Sequence, residues 1–152
     1  RNRIREWLRT QASTLKVQDV VQNPAALPNG HLYLKFKAAF DAAKDKSVRL
    51  VFHGTSEANI DSILRDGLNP QRRGQHGQAH GAGEYFAERP DISVPYCAGG
   101  KKMIVFAVLM DTSGLTKRAG GIVVVNKTEH QLPMFVISFE PTQAQVHAAT
   151  TP

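Results

Sequence analysis

The sequence predicts an α+β domain, and three observations lead there. Helical spacing of apolar residues dominates the first 43 residues. Segments rich in β-formers dominate from residue 47 onward, and a glycine-dense loop interrupts them.

Residues 4–22 read as a helix. Ile4, Trp7, Leu8, Leu15 and the group Val17, Val20 and Val21 recur near the helical period, less regularly around Ser13 and Thr14. Asn23-Pro24 stops it, and the chain runs as a loop to Gly30. A second helix is expected over 31–43, with Leu32, Leu34, Phe36, Ala39 and Phe40 on a partly buried face. Residues 47–52 alternate and are β-rich, so they read as a strand that ends in His53-Gly54-Thr55. A short helix over 57–65 carries Ile60, Ile63 and Leu64 as its apolar stripe and closes at Gly67. Residues 69–84 form a loop containing Gly74, Gly77, Gly81 and Gly83, and a loop of that length inside a compact domain is usually functional or disordered. Tyr85-Phe86-Ala87 is a short apolar segment, and 91–96 a turn or short helix. Residues 103–110 (MIVFAVLM) have the near-continuous apolar run of a strand buried on both faces. Ile122–Val125 and 135–139 are two further strands. After Glu140 the composition shifts to Thr, Gln, Ala and Pro, and a frayed tail is expected over 141–152.

Composition narrows the class. A chain of 152 residues with 41% hydrophobic and 21% charged residues suits one globular domain, with a core expected over about 18–140. No apolar run approaches bilayer length, and no membrane association is expected. The lone Cys97 excludes an internal disulfide and reads as a part-buried thiol; no metal site is expected. The net charge of +6 is spread along the chain, without an RNP-like aromatic pattern or zinc-finger spacing. It suits a generally basic surface, which would also attract the phosphates of a dinucleotide.

Three local features carry chemistry when taken together. His53 stands at a strand end, next to Gly54, whose missing Cβ lets a planar ligand approach the backbone. The glycine-rich loop then delivers Gly81-Ala82-Gly83-Glu84-Tyr85-Phe86-Ala87. Ser93 and Tyr96 follow. Two tyrosines flanking a turn can sandwich a flat heteroaromatic ring, and a serine hydroxyl between them can bond an amide on that ring. Each feature alone is weak, and their order and spacing make the signal.

At these residues the chain resembles the catalytic domain of the poly(ADP-ribose) polymerase superfamily, the diphtheria-toxin-like ADP-ribosyltransferases. The resemblance runs from about Val48 to Phe139, through His53-Gly54-Thr55, Gly67-Leu68, the GAGEYFA tract at 81–87, Ser93 and Tyr96. Upstream, Gln22–Phe36 is similar to the family's opening "QNP…LW…F" segment. The resemblance implies a fold of split antiparallel sheets around an NAD cleft with flanking helices. It implies NAD+ as co-substrate, with His53 and Tyr85 catalytic. The donor would be bound by His53, Gly54, Thr55, Tyr85, Ser93 and Tyr96, with residues 69–82 as the donor loop. His53 would bond the 2′-OH of the adenosine-side ribose, and Gly54 the nicotinamide carboxamide through its backbone, helped by Ser93. Tyr85 and Tyr96 would stack on the ring.

The third catalytic position departs from the polymerising members, which carry glutamate at the start of a late strand. Aligning Leu132-Pro133 with the family's Leu/Tyr-Pro element puts Ile122 there, and a shift of one residue gives Gly121. An aliphatic residue resembles the mono-ADP-ribosyltransferase branch. Glu84 and Glu88 flank the motif, but Glu84 should point opposite to Tyr85 on an extended segment. The resemblance therefore implies transfer of one ADP-ribose to an acceptor, with protein expected and nucleic acid as the alternative. The competing readings are a silent NAD- or ADP-ribose-binding module of the same fold and a domain that mainly hydrolyses NAD+. A monomeric domain in an intracellular setting, cytoplasm or nucleus, is the expectation.

Overall fold

A computed structural model describes residues 2–11, 15–73 and 80–140. Helix α1 (Asn2–Gln11) is followed by strand β1 (Lys16–Gln22), helix α2 (His31–Ala42) and strand β2 (Val48–His53). Helix α3 (Ile60–Asp66), strand β3 (Glu84–Ala87), the short helix α4 (Pro90–Ser93) and strand β4 (Lys102–Leu109) come next. The hairpin of β5 (Leu115–Ala119) and β6 (Ile122–Val125) precedes the final strand β7 (Gln131–Glu140). The mixed helix and strand class is the one the sequence predicts. The expected tail over 141–152 lies outside the described residues.

The expected helix over 4–22 is corrected. Its first part is α1, but residues 16–22 form edge strand β1, paired antiparallel with β7. The cause is a register shift between Val17 and Asp19. A bulge inserts one residue into the alternation. Val17 and Val20 therefore face the same core three residues apart, a spacing that imitates one turn of helix. The β-branched valines suit a pleated surface, and β7 supplies the backbone partners.

The strands form one antiparallel sheet in the order β1-β7-β4-β2-β3-β6-β5. Its middle is thin. Strands β2 and β4 share six register pairs, whereas β2 and β3 meet only at Phe52 and Ala87. Beyond that bridge β2 and β3 form no further register pair, a thin point in one sheet that corresponds to the split the resemblance implies. Strand β4 is buried from Met103 to Leu109, and its side chains serve two faces. Met103 and Val105 pack with α1, Phe52 and Phe139, while Ala107 and Leu109 pack with Leu32 and Phe36 of α2. Ile104, Phe106 and Val108 face the opposite way, against Ile60 and Ile63 of α3 and Phe86, Val123 and Val125.

Buried Asn23 locks the turn between β1 and α2. Its side-chain amide donates to the carbonyls of Leu64 and Pro133 at 2.9 and 2.8 Å, and its Oδ1 accepts from Ala25 N at 3.3 Å. One side chain thus ties the opening segment to α3 and β7.

Candidate active site

The parting of the sheet opens a cleft of about 950 Å³. That is ample for a ligand of dinucleotide size. His53, Gly54, Thr55, Tyr85, Ser93, Tyr96 and Ile122 all line it, so the fold gathers every site residue picked out from the sequence.

His53 ends β2 on the face that carries Val51. Its ring lies 5.7 Å from Phe86 and 5.8 Å from Phe106 between centroids, and its Nδ1 sits 3.1 Å from the carbonyl oxygen of Tyr85. A carbonyl only accepts, so Nδ1 is the donor in this contact. In a neutral ring Nε2 is then the acceptor. The aromatic packing holds the imidazole plane, and the bond ties β2 to β3 just beyond the single bridge.

Tyr85 is positioned at both ends. Its backbone pairs with Val124 of β6. Its hydroxyl donates to Gly81 O at 2.8 Å and accepts from His80 N at 2.8 Å. Gly81 and Gly83 have positive φ of 100° and 147°, conformations that favour glycine and bring the chain back onto the ring. Thr116 Oγ1 donates to Ala82 O at 2.8 Å and anchors the same turn to β5.

Gly54 faces the other wall. A Cβ on it would lie 2.2 Å from Ser93 O and 3.0 Å from Tyr96 Cβ. The absent side chain lets α4 and the 3-10 turn Val94–Cys97 close on β2. Ser93 is buried there, and Tyr96 is 56% exposed with its ring presented to the cleft. Cys97 beneath them is buried, and burial pushes its thiol up to about 11. A thiol so reluctant to ionise is structural, as the sequence suggested.

Ile122 begins β6 opposite Ala87 and lies on the Tyr85 face of the strand pair. Among the described residues the acids lining the cleft are Asp66 and Glu84. Asp66 is ion-paired with Arg65 at 3.0 Å. Glu84 points away from Tyr85, as expected, and is held by Arg73 and Gln131. Glu88 accepts from Arg118 and Arg49, each at 2.9 Å. Neither flanking glutamate is placed to replace the missing one.

The sequence reading passed over three contributors. Asn59 donates to Thr55 Oγ1 and Ser56 Oγ at 3.3 and 3.0 Å and stiffens the turn after His53. Arg73 and Gln131 carry the contacts to Glu84. The buried acid inside an otherwise apolar strand was the one signal that could have pointed to them. Within the expected donor loop, Pro70–Arg72 forms a 3-10 turn capped by Asn69, and residues 74–79 lie outside the described residues.

Comparison with known proteins bears on the family and the fold. Residues 3–119 match the family model of the poly(ADP-ribose) polymerase catalytic domain, a match that ends just before Ile122. The mouse protein mono-ADP-ribosyltransferase PARP10 is 34% identical over 76 residues, which covers 46% of this chain and 8% of that much longer protein. The crystal structure of the PARP domain of Arabidopsis RADICAL-INDUCED CELL DEATH1 superposes with a TM-score of 0.69, over 93% of this chain and 98% of that one. At 17% identity the latter likeness concerns the fold alone.

Proposed function

The chain belongs to the poly(ADP-ribose) polymerase catalytic-domain family, and from that premise we propose that it transfers a single ADP-ribose unit from NAD+ to an acceptor, releasing nicotinamide. The observation that carries the reading is the cleft itself. It brings His53, Gly54, Tyr85, Ser93 and Tyr96 together and is also lined by Ile122, the residue that the resemblance puts at the third position.

The residues fit the donor. Gly54 lines the cleft and offers its backbone N–H and C=O to the nicotinamide carboxamide, and Ser93, whose backbone packs against Gly54, lines the same cleft. Tyr85, fixed by His80 and Gly81, and the exposed ring of Tyr96 supply two flat faces for the nicotinamide. His53 Nε2 accepts from the 2′-OH of the adenosine-side ribose, its ring already oriented by the bond to Tyr85 O.

The reaction breaks the bond between ribose C1′ and the nicotinamide nitrogen, and nicotinamide leaves with the bonding electrons. The acceptor nucleophile bonds to C1′ through an oxocarbenium-like state, akin to glycoside chemistry. Because the leaving group is already good, the protein's main tasks are to orient donor and acceptor and to exclude water. With Ile122 no protein carboxylate polarises a second ribose hydroxyl, so chain growth is not supported. The acceptor brings its own carboxylate, and a protein side chain is the class we favour.

Incubation with labelled NAD+ tests this, with His53→Ala and Tyr85→Ala as controls. Label appears on protein in single units and is lost in both variants. Label that survives both substitutions sinks the site assignment. Label on added RNA instead moves the acceptor to nucleic acid. Free ADP-ribose with no labelled acceptor makes the domain a hydrolase, and analogue binding without turnover makes it a binding module.

A further inference from the structure

Strand β3 carries a charge where its pattern asks for an apolar residue. Glu84 shares its face with Phe86 and with Val123 and Val125 of β6, all of them in one apolar cluster. It is only 7% exposed. Burying a carboxylate is costly unless it is matched, and an apolar side chain of similar size often gives an equally stable or more stable fold. A buried ion pair at this place therefore calls for a reason other than stability.

Both carboxylate oxygens are matched by contacts that span four parts of the chain, while Gln131 Oε1 is without a hydrogen-bond partner among the described residues. Arg73 Nε and Nη2 both donate to the Glu84 carboxylate, the second at 2.8 Å, in the two-pronged arrangement that fixes direction as well as distance. Gln131 Nε2 donates to Glu84 Oε1 at 2.7 Å and to Val125 O at 3.1 Å. Arg73 Nη2 also donates to Asn126 O at 2.9 Å. Through these contacts the 3-10 turn Pro70–Arg72 is tied to β3, to the end of β6 and to the start of β7. Asn69, Pro70, Arg72 and Arg73 all line the cleft. Glu84 is the immediate neighbour of Tyr85, so one wall is held in register with the residue at the centre of the site.

We propose that Glu84, Arg73 and Gln131 are positioning residues for NAD+, clamping the Asn69–Arg73 wall against β3 so that the cleft is shaped for the part of the dinucleotide beyond the nicotinamide. The inference rests on the donor reading above. The clamp acts before chemistry. It raises the fraction of molecules with a formed wall and leaves Tyr85, Tyr96 and Gly54 untouched. Loss of the clamp lowers apparent affinity by that fraction. If the wall is then formed about a tenth of the time, KM for NAD+ rises about tenfold while kcat stays within about twofold.

Glu84→Leu tests this, because it removes the charge and extends the apolar cluster. The expected result for the single variant is a KM raised about tenfold with kcat preserved, faster amide exchange at residues 70–73, and a lowered melting temperature because Arg73 is left without its carboxylate. Arg73→Met combined with Glu84→Leu should add nothing further, since the two residues act as one unit. Glu84→Gln serves in the same measurements if the leucine variant does not fold. An unchanged KM, or a fall in kcat at constant KM, overturns the proposal. If the wild type neither binds nor turns over NAD+, the donor reading fails. The exchange rates at residues 70–73 still decide separately whether the clamp exists.

Discussion

Replacing Gly54 by alanine is the sharpest test of how the cleft is built. Gly54 has no left-handed φ, so alanine is conformationally allowed there, and only space opposes it. The new Cβ would lie 2.2 Å from Ser93 O, whereas ordinary carbon–oxygen contacts begin at about 3.3 Å. The deficit is about 1 Å, and the obstructing oxygen belongs to the backbone. Something must move, and the short α4 with the turn Val94–Cys97 is the lighter body. Such overpacking costs about 1–3 kcal/mol. The gain from a stiffer unfolded chain, about 0.4–1 kcal/mol, only partly offsets it. The melting temperature should therefore fall by about 2–4 °C for each kcal/mol that remains. Activity should suffer more, because the displaced segment carries Ser93 and Tyr96. A misplacement of about 1 Å can lower turnover about 100-fold. Gly99→Ala is the control. Its φ is 79° and nothing lies within 4 Å of a Cβ there, so it should cost about 1–2 kcal/mol of stability through backbone strain and leave kcat/KM near wild type. Thermal unfolding and a nicotinamide-release assay report both quantities. Wild-type kcat/KM in Gly54→Ala would refute the argument that close approach at this residue shapes the site.

Three further outcomes are expected. Ile122→Glu alone should still give single ADP-ribose units, since acceptor binding also shapes the product; long polymers on a denaturing gel would contradict this. His130 is buried with Nδ1 unpartnered among the described residues, and burial lowers its affinity for a proton below the ordinary value of 6.5. The folded state thus binds fewer protons than the unfolded chain below about pH 6.5, so this contribution to stability is full above that value and declines as pH falls through the depressed folded value. His130→Gln should flatten the melting-temperature profile between about pH 7 and pH 5, and a profile parallel to wild type would exclude the residue as its source. Cys97, with its thiol near 11, should resist iodoacetamide in the native protein at about pH 8 and react fully in denaturant; mass spectrometry separates the cases.

The sequence by itself determined the fold class and most element positions, and its resemblance to a family pointed to the cleft residues His53, Gly54, Tyr85, Ser93, Tyr96 and Ile122. It could do so because these depend on local signals: the apolar run of β4, the glycines that turn the chain before Tyr85, and the order of the motifs. Long-range pairing decided the rest. Residues 16–22 looked helical because a bulge sets Val17 and Val20 three residues apart on one face, and only β7 makes them a strand. Strand β5 was missed because its exposed residues, Thr116 to Ala119, show no apolar alternation, and pairing with β6 alone holds it extended. The partners of Glu84 were invisible for the same reason. Arg73 and Gln131 lie eleven and forty-seven residues away, and no local pattern records which distant donors will meet a buried carboxylate. Local periodicity encodes which face of an element is apolar, but it does not encode what that face will meet.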